Sequence, residues 1–139
     1  LYRLAPFERA APTVLTPHAG ELARLLEVEA SWIDAHRLDA CARAVERFGC
    51  VVLLKGADTI VAAPGAAPVV CDLGPPSLAT AGSGDVLTGV IASFLAKGLD
   101  ARTAAAAAAV AHGIAAASVP AQAGLIASDV IAALPAALS

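Results

Sequence analysis

The sequence contains no methionine, and aromatic and charged residues make up only 4% and 15% of its 139 positions. Without a methionine the chain lacks a native start, so we expect it to be a piece of a longer protein. The net charge is −3 and no basic run is present, which argues against nonspecific binding to nucleic acid or to anionic membranes. The longest apolar stretch, 104–119, is shorter than a membrane span needs and contains His112 and Ser118, so it predicts a helix packed in a protein core.

The sequence also lacks the patterns of a leader peptide and of a cysteine-based site. Residues 1–15 carry two arginines, one glutamate and two prolines, without the continuous apolar segment of a signal peptide. The three cysteines, Cys41, Cys50 and Cys71, form no CxxC pair and have no metal-binding spacing. Such cysteines are typical of reduced, mostly buried thiols, so we predict a cytoplasmic protein in which they are structural.

What is present predicts a layered α/β fold. Five consecutive apolar residues, 50–54, indicate a strand buried on both faces, as in a parallel sheet covered by helices. Residues 58–63 and 68–73 flank a Pro/Gly/Ala turn and predict a hairpin. The other predicted elements are a strand at 12–17, a helix at 18–28, a helix at 32–49 that Ser31 opens and Gly49 ends, and three later helices at about 86–98, 101–118 and 128–138, the last opened by Ser128 or Asp129.

The stretch ATAGSGDVLTG, residues 79–89, places a single acid in a glycine-rich turn just before a helical pattern. Backbone N–H groups at a helix start have no partner within the helix, and they attract anions. Because glycine lets a phosphate approach closely, we predict that Gly82, Ser83 and Gly84 form an anion cradle. Asp85 beside them is either a general base that takes a proton from an attacking hydroxyl or a helix cap.

Polar residues also follow two of the predicted strands. Lys55, one of two lysines against seven arginines, comes directly after the strand at 50–54. Ligands of open α/β sheets bind at the carboxyl ends of strands, so Lys55 is a candidate phosphate partner, the alternative being a solvated lysine. In TPHAGE, His18 is a candidate donor to a ligand oxygen or a plain surface residue. Glu21 either caps the following helix or contacts a metal-bound water.

The remaining ring residues have structural interpretations. We expect His36 on an exposed helix face and Trp32 as a packing anchor. His112 lies among alanines, which favours a core residue whose polar atoms are satisfied.

Three segments, VLTPHAGELARLL, VVLLKGADTIVA and LATAGSGDVLTGVIASFLAKGL, in this order closely resemble the NAD(P)H-hydrate dehydratases. The resemblance implies a three-layer ribokinase-like α/β fold with a mostly parallel sheet and a hairpin. Residues 1–139 would be a single partial domain, the C-terminal half of that fold. It further implies repair of NADHX and NADPHX: the added hydroxyl is phosphorylated, and loss of phosphate then restores NADH or NADPH.

The resemblance also assigns roles by matching position. His18 and Asp85 contact the hydrated nicotinamide nucleotide, with Asp85 as the catalytic base. The co-substrate is ADP in the bacterial members and ATP in the eukaryotic ones, and the high alanine content and the excess of arginine over lysine favour ADP here. Magnesium is expected with the phosphates, without an identified ligand set. The residues implied to contact the adenine nucleotide are Lys55, Gly56, Ala57, Asp58, Thr59 and Gly84.

The sequence departs from the family in two respects. Pro75, in GPPSLAT, stands where the family has asparagine, which leaves that loop contact open. The family's domain is about twice as long, so its first half, with a glycine-containing substrate loop, is missing. We expect a homo-oligomer. Whether the full-length protein also carries a fused epimerase domain is left undecided by the sequence.

Two other functions remain open at this point. One is a ribokinase-like kinase for a vitamin precursor or a sugar, which would share Asp85 and the cradle. The other is a nucleotide-binding module without catalysis.

Overall fold

The computed structural model describes residues 9–139. The prediction that residues 1–15 are not a signal peptide therefore falls mostly outside the described residues. The chain divides into two compact units, a first that ends at Val70 and a second, Cys71–Ser139.

The first unit is a mixed sheet with helices packed on it. The sheet has the strand order β1-β2-β3-β4, in which β1 pairs with β2 in parallel and β2 with β3 antiparallel. Among the described residues, the expected mostly parallel sheet is thus one parallel pair extended by the predicted hairpin. The elements are β1 Val14–Leu15, α1 Ala19–Leu26, α2 Ala30–Ala35, α3 Arg37–Phe48, β2 Val51–Leu54, β3 Thr59–Ala63 and β4 Ala66–Cys71, whose last residue opens the second unit.

Strand β2 confirms the prediction from its apolar run, because all four of its residues are buried. Successive side chains of a strand point to opposite faces, so burial of the whole run means that both faces are covered. Val52 and Leu54 belong to one hydrophobic cluster with Leu22 of α1, Ile33 of α2 and Ala44 of α3, among others. This packing fixes the end of β2, where Lys55 follows.

The predicted single helix at 32–49 is wrong, since the chain forms two helices that meet at His36. The first begins at Ala30 after Glu29, so Ser31 is not its N-cap. His36 leaves the helical conformation (φ −134°, ψ 47°), while its ring stacks on Trp32 with centroids 5.0 Å apart. His36 is exposed as expected, but at a break rather than on a helix face. Gly49 ends α3 in the left-handed conformation, as predicted.

The second unit is helical. It contains a 3₁₀ turn, Pro76–Leu78, and then α4 Ser83–Ala96, α5 Ala101–Ser118 and α6 Ala127–Ala137. Leu87, Val90 and Ile91 of α4 are buried, and Gly98 follows the end of the helix with φ 89°. Neither Ser128 nor Asp129 opens α6, whose N-cap is Ile126. Asp129 lies in the first turn, where its carboxylate accepts a hydrogen bond from the Ile126 N–H at 3.0 Å.

The alanine-rich helix α5 packs closely against its own unit, as its small side chains predict. A Cβ on Gly113 would lie far inside contact distance of the Leu73 carbonyl oxygen. No helix within residues 9–139 has the length and apolarity that a membrane crossing requires.

The cysteines, all within the described part of the chain, are free thiols, and Cys41 and Cys71 are buried. Burial raises the pKa of Cys41 to about 11, although the charge of Arg37 opposes this. Cys41 therefore stays a protonated thiol at neutral pH, in agreement with the predicted structural role.

Candidate functional site

In the first unit, His18, Glu21 and Lys55 lie together where β1 and β2 end. The register of the parallel pair continues one step further as a bridge between His18 and Lys55, and the Lys55 N–H donates to the Pro17 carbonyl at 2.9 Å. The Lys55 Nζ atom lies 3.7 Å from Glu21 Oε2, and His18 Nε2 lies 3.6 Å from the same oxygen. The sheet thus brings together the polar groups that the sequence placed after two separate strands.

His18 and Glu21 form a reciprocal cap on α1. His18 Nδ1 accepts from the Glu21 N–H at 3.2 Å, and Glu21 Oε2 accepts from the His18 N–H at 2.9 Å. Glu21 therefore takes the capping role, one of its two predicted interpretations. Because Nδ1 is an acceptor here, neutral His18 carries its proton on Nε2. The His18 side chain is 56% exposed, so this N–H can also donate to a ligand.

The electrostatics of this cluster keep Glu21 ionised. Burial raises the pKa of its carboxyl, but the hydrogen bond from the His18 backbone, the charges of Lys55 and His18 and the hydrogen bond from Lys55 together outweigh burial, so the pKa is lowered overall. Lys55, with 28% of its side chain exposed, therefore faces a carboxylate on one side and solvent on the other.

The loop of residues 55–58 connects β2 to β3 and is held from outside by Arg37. Arg37 Nη2 donates to the Asp58 carbonyl at 2.7 Å. Gly56, Ala57 and Asp58 are exposed. Within the described chain, the N–H groups of Gly56 and Ala57 make no hydrogen bond, so they are available to a ligand.

In the second unit, Ser83 holds the glycine turn from inside. Its hydroxyl is buried and lies 2.7 Å from the Leu78 carbonyl and 2.9 Å from the Thr80 carbonyl, to which it donates. Gly82 has φ 85°, a conformation that favours glycine, and is the N-cap of α4. The Ser83 hydroxyl thus fixes the shape of the turn, and the predicted cradle depends on backbone N–H groups.

Asp85 lies inside the helix, because α4 begins at Ser83 and not at the predicted Val86. Its own N–H donates to the Gly82 carbonyl at 3.1 Å. The Asp85 side chain is exposed, and no residue between 9 and 139 hydrogen-bonds or pairs with its carboxylate. The cap interpretation therefore fails in this structure, where α4 has no side-chain cap. The Gly84 N–H is likewise without a partner in the described residues. The Asp85 carboxylate and this open N–H therefore belong to consecutive residues.

His112 is buried on α5, with 6% exposure, as predicted. The prediction that its polar atoms are all hydrogen-bonded is wrong. Its Nε2 atom has no hydrogen-bond partner in the described structure. Burial lowers the pKa of His112 below its ordinary 6.5, and hydrogen bonding to the Ser83 backbone only partly opposes this.

The lowered pKa of His112 gives a pH dependence of stability. The folded chain prefers the neutral ring, so the unfolded chain takes up the proton first as the pH falls below 6.5. We expect the free energy of unfolding, measured in urea, to decrease as the pH drops through this range. The His112→Gln variant should lose this part of the slope, whereas His36→Gln, an exposed control, should keep it. An identical slope in His112→Gln and wild type would contradict the assignment.

The side chains of the described residues do not form a magnesium site made of protein ligands alone. No three His, Cys, Asp or Glu side chains among residues 9–139 are grouped to hold a metal ion, and Glu21 is engaged by His18 and Lys55. Magnesium commonly keeps several waters and binds substrate phosphates with one or two carboxylates.

Sequence reasoning did not indicate that Arg37 contacts the 55–58 loop or that the hydroxyl of Ser83, a predicted cradle residue, holds the glycine turn. Arg37 reads as a surface residue of a helix, and only the break at His36 could have signalled otherwise. Pro75, the departure from the family, precedes the 3₁₀ turn and accepts from the Leu78 N–H at 3.0 Å. The backbone at Pro75 (φ −71°) suits proline.

Comparison with solved structures identifies the fold class of the chain. Its α/β fold is ribokinase-like, a class to which similar solved structures belong. It is similar to an ADP/ATP-dependent NAD(P)H-hydrate dehydratase from Bacillus subtilis, co-crystallised with ATP and Mg²⁺, with a TM-score of 0.85 and 25% identity. The match covers 98% of this chain and 50% of that one.

The family follows from sequence comparison. The NAD(P)H-hydrate dehydratase family profile (Carb_kinase) matches residues 2–135, and the chain belongs to this family. It is 45% identical over 127 residues to a bifunctional NAD(P)H-hydrate repair enzyme of Moorella thermoacetica, covering 89% of this chain and 24% of the relative. It is 46% identical over 101 residues to an ADP-dependent (S)-NAD(P)H-hydrate dehydratase of Xanthomonas campestris pv. campestris, covering 73% and 34%. The chain thus spans about a quarter to a third of the length of these relatives.

Proposed function

We propose that the chain takes part in the nucleotide-dependent dehydration of (S)-NADHX and (S)-NADPHX to NADH and NADPH. The observation that carries this proposal is the exposed Asp85 carboxylate, which caps nothing and directly follows Gly84 with its open N–H. A carboxylate in the first turn also interacts favourably with the helix dipole, but a group that accepts a proton from substrate must be accessible, and Asp85 is exposed. Family membership supports the choice of reaction.

The proposed reaction has two steps. In the first, the hydrate hydroxyl oxygen attacks the terminal phosphorus of the nucleotide, Asp85 accepts the hydroxyl proton, and the P–O bond to the leaving nucleotide breaks. In the second, the C–O bond of the new phosphate ester breaks, a proton leaves the adjacent ring carbon, and the double bond forms. The products are the reduced nicotinamide nucleotide, inorganic phosphate and the nucleotide shortened by one phosphoryl group.

The first unit supplies the groups proposed to bind the adenine nucleotide. Lys55 offers a cation, and the N–H groups of Gly56 and Ala57 are open to phosphate oxygens. Asp58 and Thr59 complete the segment, and His18 donates through Nε2 to the hydrated nicotinamide nucleotide. We propose ADP as the co-substrate, which the name of the Xanthomonas relative supports, with magnesium accompanying its phosphates.

A spectroscopic assay tests the proposal on this chain. Hydrated NADH is supplied with ADP or with ATP, and the absorbance band of reduced nicotinamide is followed together with nucleotide consumption. We expect the band to recover only when nucleotide is present. Consumption without recovery would indicate a kinase, and binding without consumption would indicate a nucleotide-binding module; either result would overturn the proposed reaction.

Lys55→Ala should weaken nucleotide binding, because it removes the cation at the start of the open loop. We expect the dissociation constant for ADP, measured by calorimetry, to rise about tenfold, the effect of losing one charge-assisted contact. The matched control is Lys97→Ala, which removes the only other lysine, exposed near the Phe94 ring. An unchanged constant in Lys55→Ala, or an equal rise in both variants, would exclude the role.

A further inference from the structure

We propose that Arg37 is a positioning residue that holds the 55–58 loop in its binding conformation and thereby sets nucleotide affinity. This inference rests on the proposed function of that loop. Its starting point is the hydrogen bond from Arg37 Nη2 to the Asp58 carbonyl at 2.7 Å, which joins residues 21 positions apart.

Gly56 shows that the guanidinium is packed against the loop and not merely tethered to it. A Cβ built on Gly56 would lie 2.5 Å from Arg37 Nη2, 2.7 Å from Nη1 and 2.8 Å from Cζ. The backbone of Gly56 is not in the left-handed region, since its φ lies outside the range that side chains rarely adopt. Glycine therefore leaves a space here that the Arg37 guanidinium fills, and a Cβ would displace this flexible end of the side chain.

The break between α2 and α3 puts Arg37 in this position. Arg37 is the first residue of α3, directly after His36, whose ring stacks on Trp32 and whose Nδ1 lies 3.0 Å from the Trp32 carbonyl. One turn further along α3, the charge of Arg37 acts on buried Cys41. The side chain is thus anchored at its base by a stacked turn and at its tip by the loop.

The loop is consequently fixed at both ends. At the start, the Lys55 N–H donates to the Pro17 carbonyl, and at the end, Arg37 donates to the Asp58 carbonyl. The N–H groups of Gly56 and Ala57 between these points stay open within the described residues. Loss of the Arg37 contact would free the second end, so binding nucleotide would have to order the loop at a cost in affinity.

The first experiment needs no nucleotide. The Asp58 carbonyl belongs to the peptide group of the Thr59 N–H, so the NMR resonance of the Thr59 amide nitrogen reports the Arg37 contact. We expect it to shift in Arg37→Ala and, to a similar extent, in Gly56→Ala, where the new methyl group displaces the guanidinium. Arg47→Ala is the matched control, because Arg47 lies on the same helix but pairs with Glu27. If the Thr59 amide nitrogen resonance did not shift in either Arg37→Ala or Gly56→Ala, the contact between Arg37 and the loop would be overturned.

The second experiment measures ADP affinity and turnover. We expect Arg37→Ala and Gly56→Ala each to raise the ADP dissociation constant and KM about fivefold to tenfold, with kcat at saturating nucleotide retained. The double variant should be no weaker than either single variant, because both remove the same contact. Arg37→Lys, which keeps one donor, should recover part of the loss, and Arg47→Ala should bind as wild type.

The two experiments separate the possible failures. Additive losses in the double variant, or wild-type affinity in Arg37→Ala despite a shifted resonance, would overturn the positioning role while leaving the proposed function intact. A wild-type chain that binds neither ADP nor ATP would overturn the proposed function and, with it, the role of Arg37 in affinity.

Discussion

Asp85→Asn is expected to lower kcat for dehydration by about 10²–10⁴-fold, the range that general-base catalysis contributes. Asparagine has nearly the same shape but cannot accept the hydroxyl proton at neutral pH, so the nucleophile stays weak. Binding of the nucleotide should be largely kept, because the Gly84 N–H and the 55–59 segment are untouched. The measurement is recovery of the reduced-nicotinamide band at saturating nucleotide.

The structure makes this substitution a clean test. The Asp85 side chain is exposed and caps nothing in the described chain, so thermal unfolding should change only by the small helix-dipole contribution of a first-turn carboxylate, about 0.3–1 kcal/mol. Asp72→Asn is the matched control, since Asp72 is an exposed aspartate of the same unit and should retain wild-type turnover. Wild-type kcat in Asp85→Asn would refute the general-base assignment, and Asp85→Glu tests how strictly the carboxylate must be placed.

Local sequence patterns predicted much of the fold because the apolarity of a run and the backbone freedom of glycine depend on neighbouring residues alone. The apolar run of β2 had to be buried on both faces, and Gly49 was placed by the left-handed conformation that ends a helix. The break at His36 was not predictable in the same way. The residues around it are all compatible with a continuous helix, and the stacking of His36 on Trp32 is a contact that hydrophobic periodicity does not report.

The candidate site was predictable where strand ends carried unusual residues. Lys55 is one of two lysines and His18 follows a proline at a strand end, so their chemistry stands out in the sequence. The supporting contacts were hidden because they are tertiary. Arg37 reaches the loop from 21 residues away, and the Ser83 hydroxyl faces inward to the Leu78 and Thr80 carbonyls. Residue type and spacing cannot indicate which carbonyl a side chain will contact.

Gly113→Ala is expected to give the largest loss of stability, about 3 kcal/mol in the free energy of unfolding. The added Cβ would overlap the Leu73 carbonyl oxygen and also approach the Leu73 carbonyl carbon to 2.6 Å. These are backbone atoms, which cannot turn away as a flexible side chain can. Either α5 or the chain at Leu73 must move, and that chain leads through Gly74 and Pro75 to the 3₁₀ turn whose Leu78 carbonyl receives the Ser83 hydroxyl.

The opposite result is expected for Gly89→Ala on α4, which makes it the control for Gly113→Ala. Gly89 is an exposed residue inside a helix of the same unit, and a Cβ there would meet nothing within 4 Å. Alanine should therefore stabilise the chain by about 0.5–1 kcal/mol through helix propensity alone. Denaturation in urea measures both variants. Since helix propensity favours alanine equally at the two positions, a loss confined to Gly113→Ala isolates the close approach of α5 to Leu73, and equal stability changes would show that this approach is not tight.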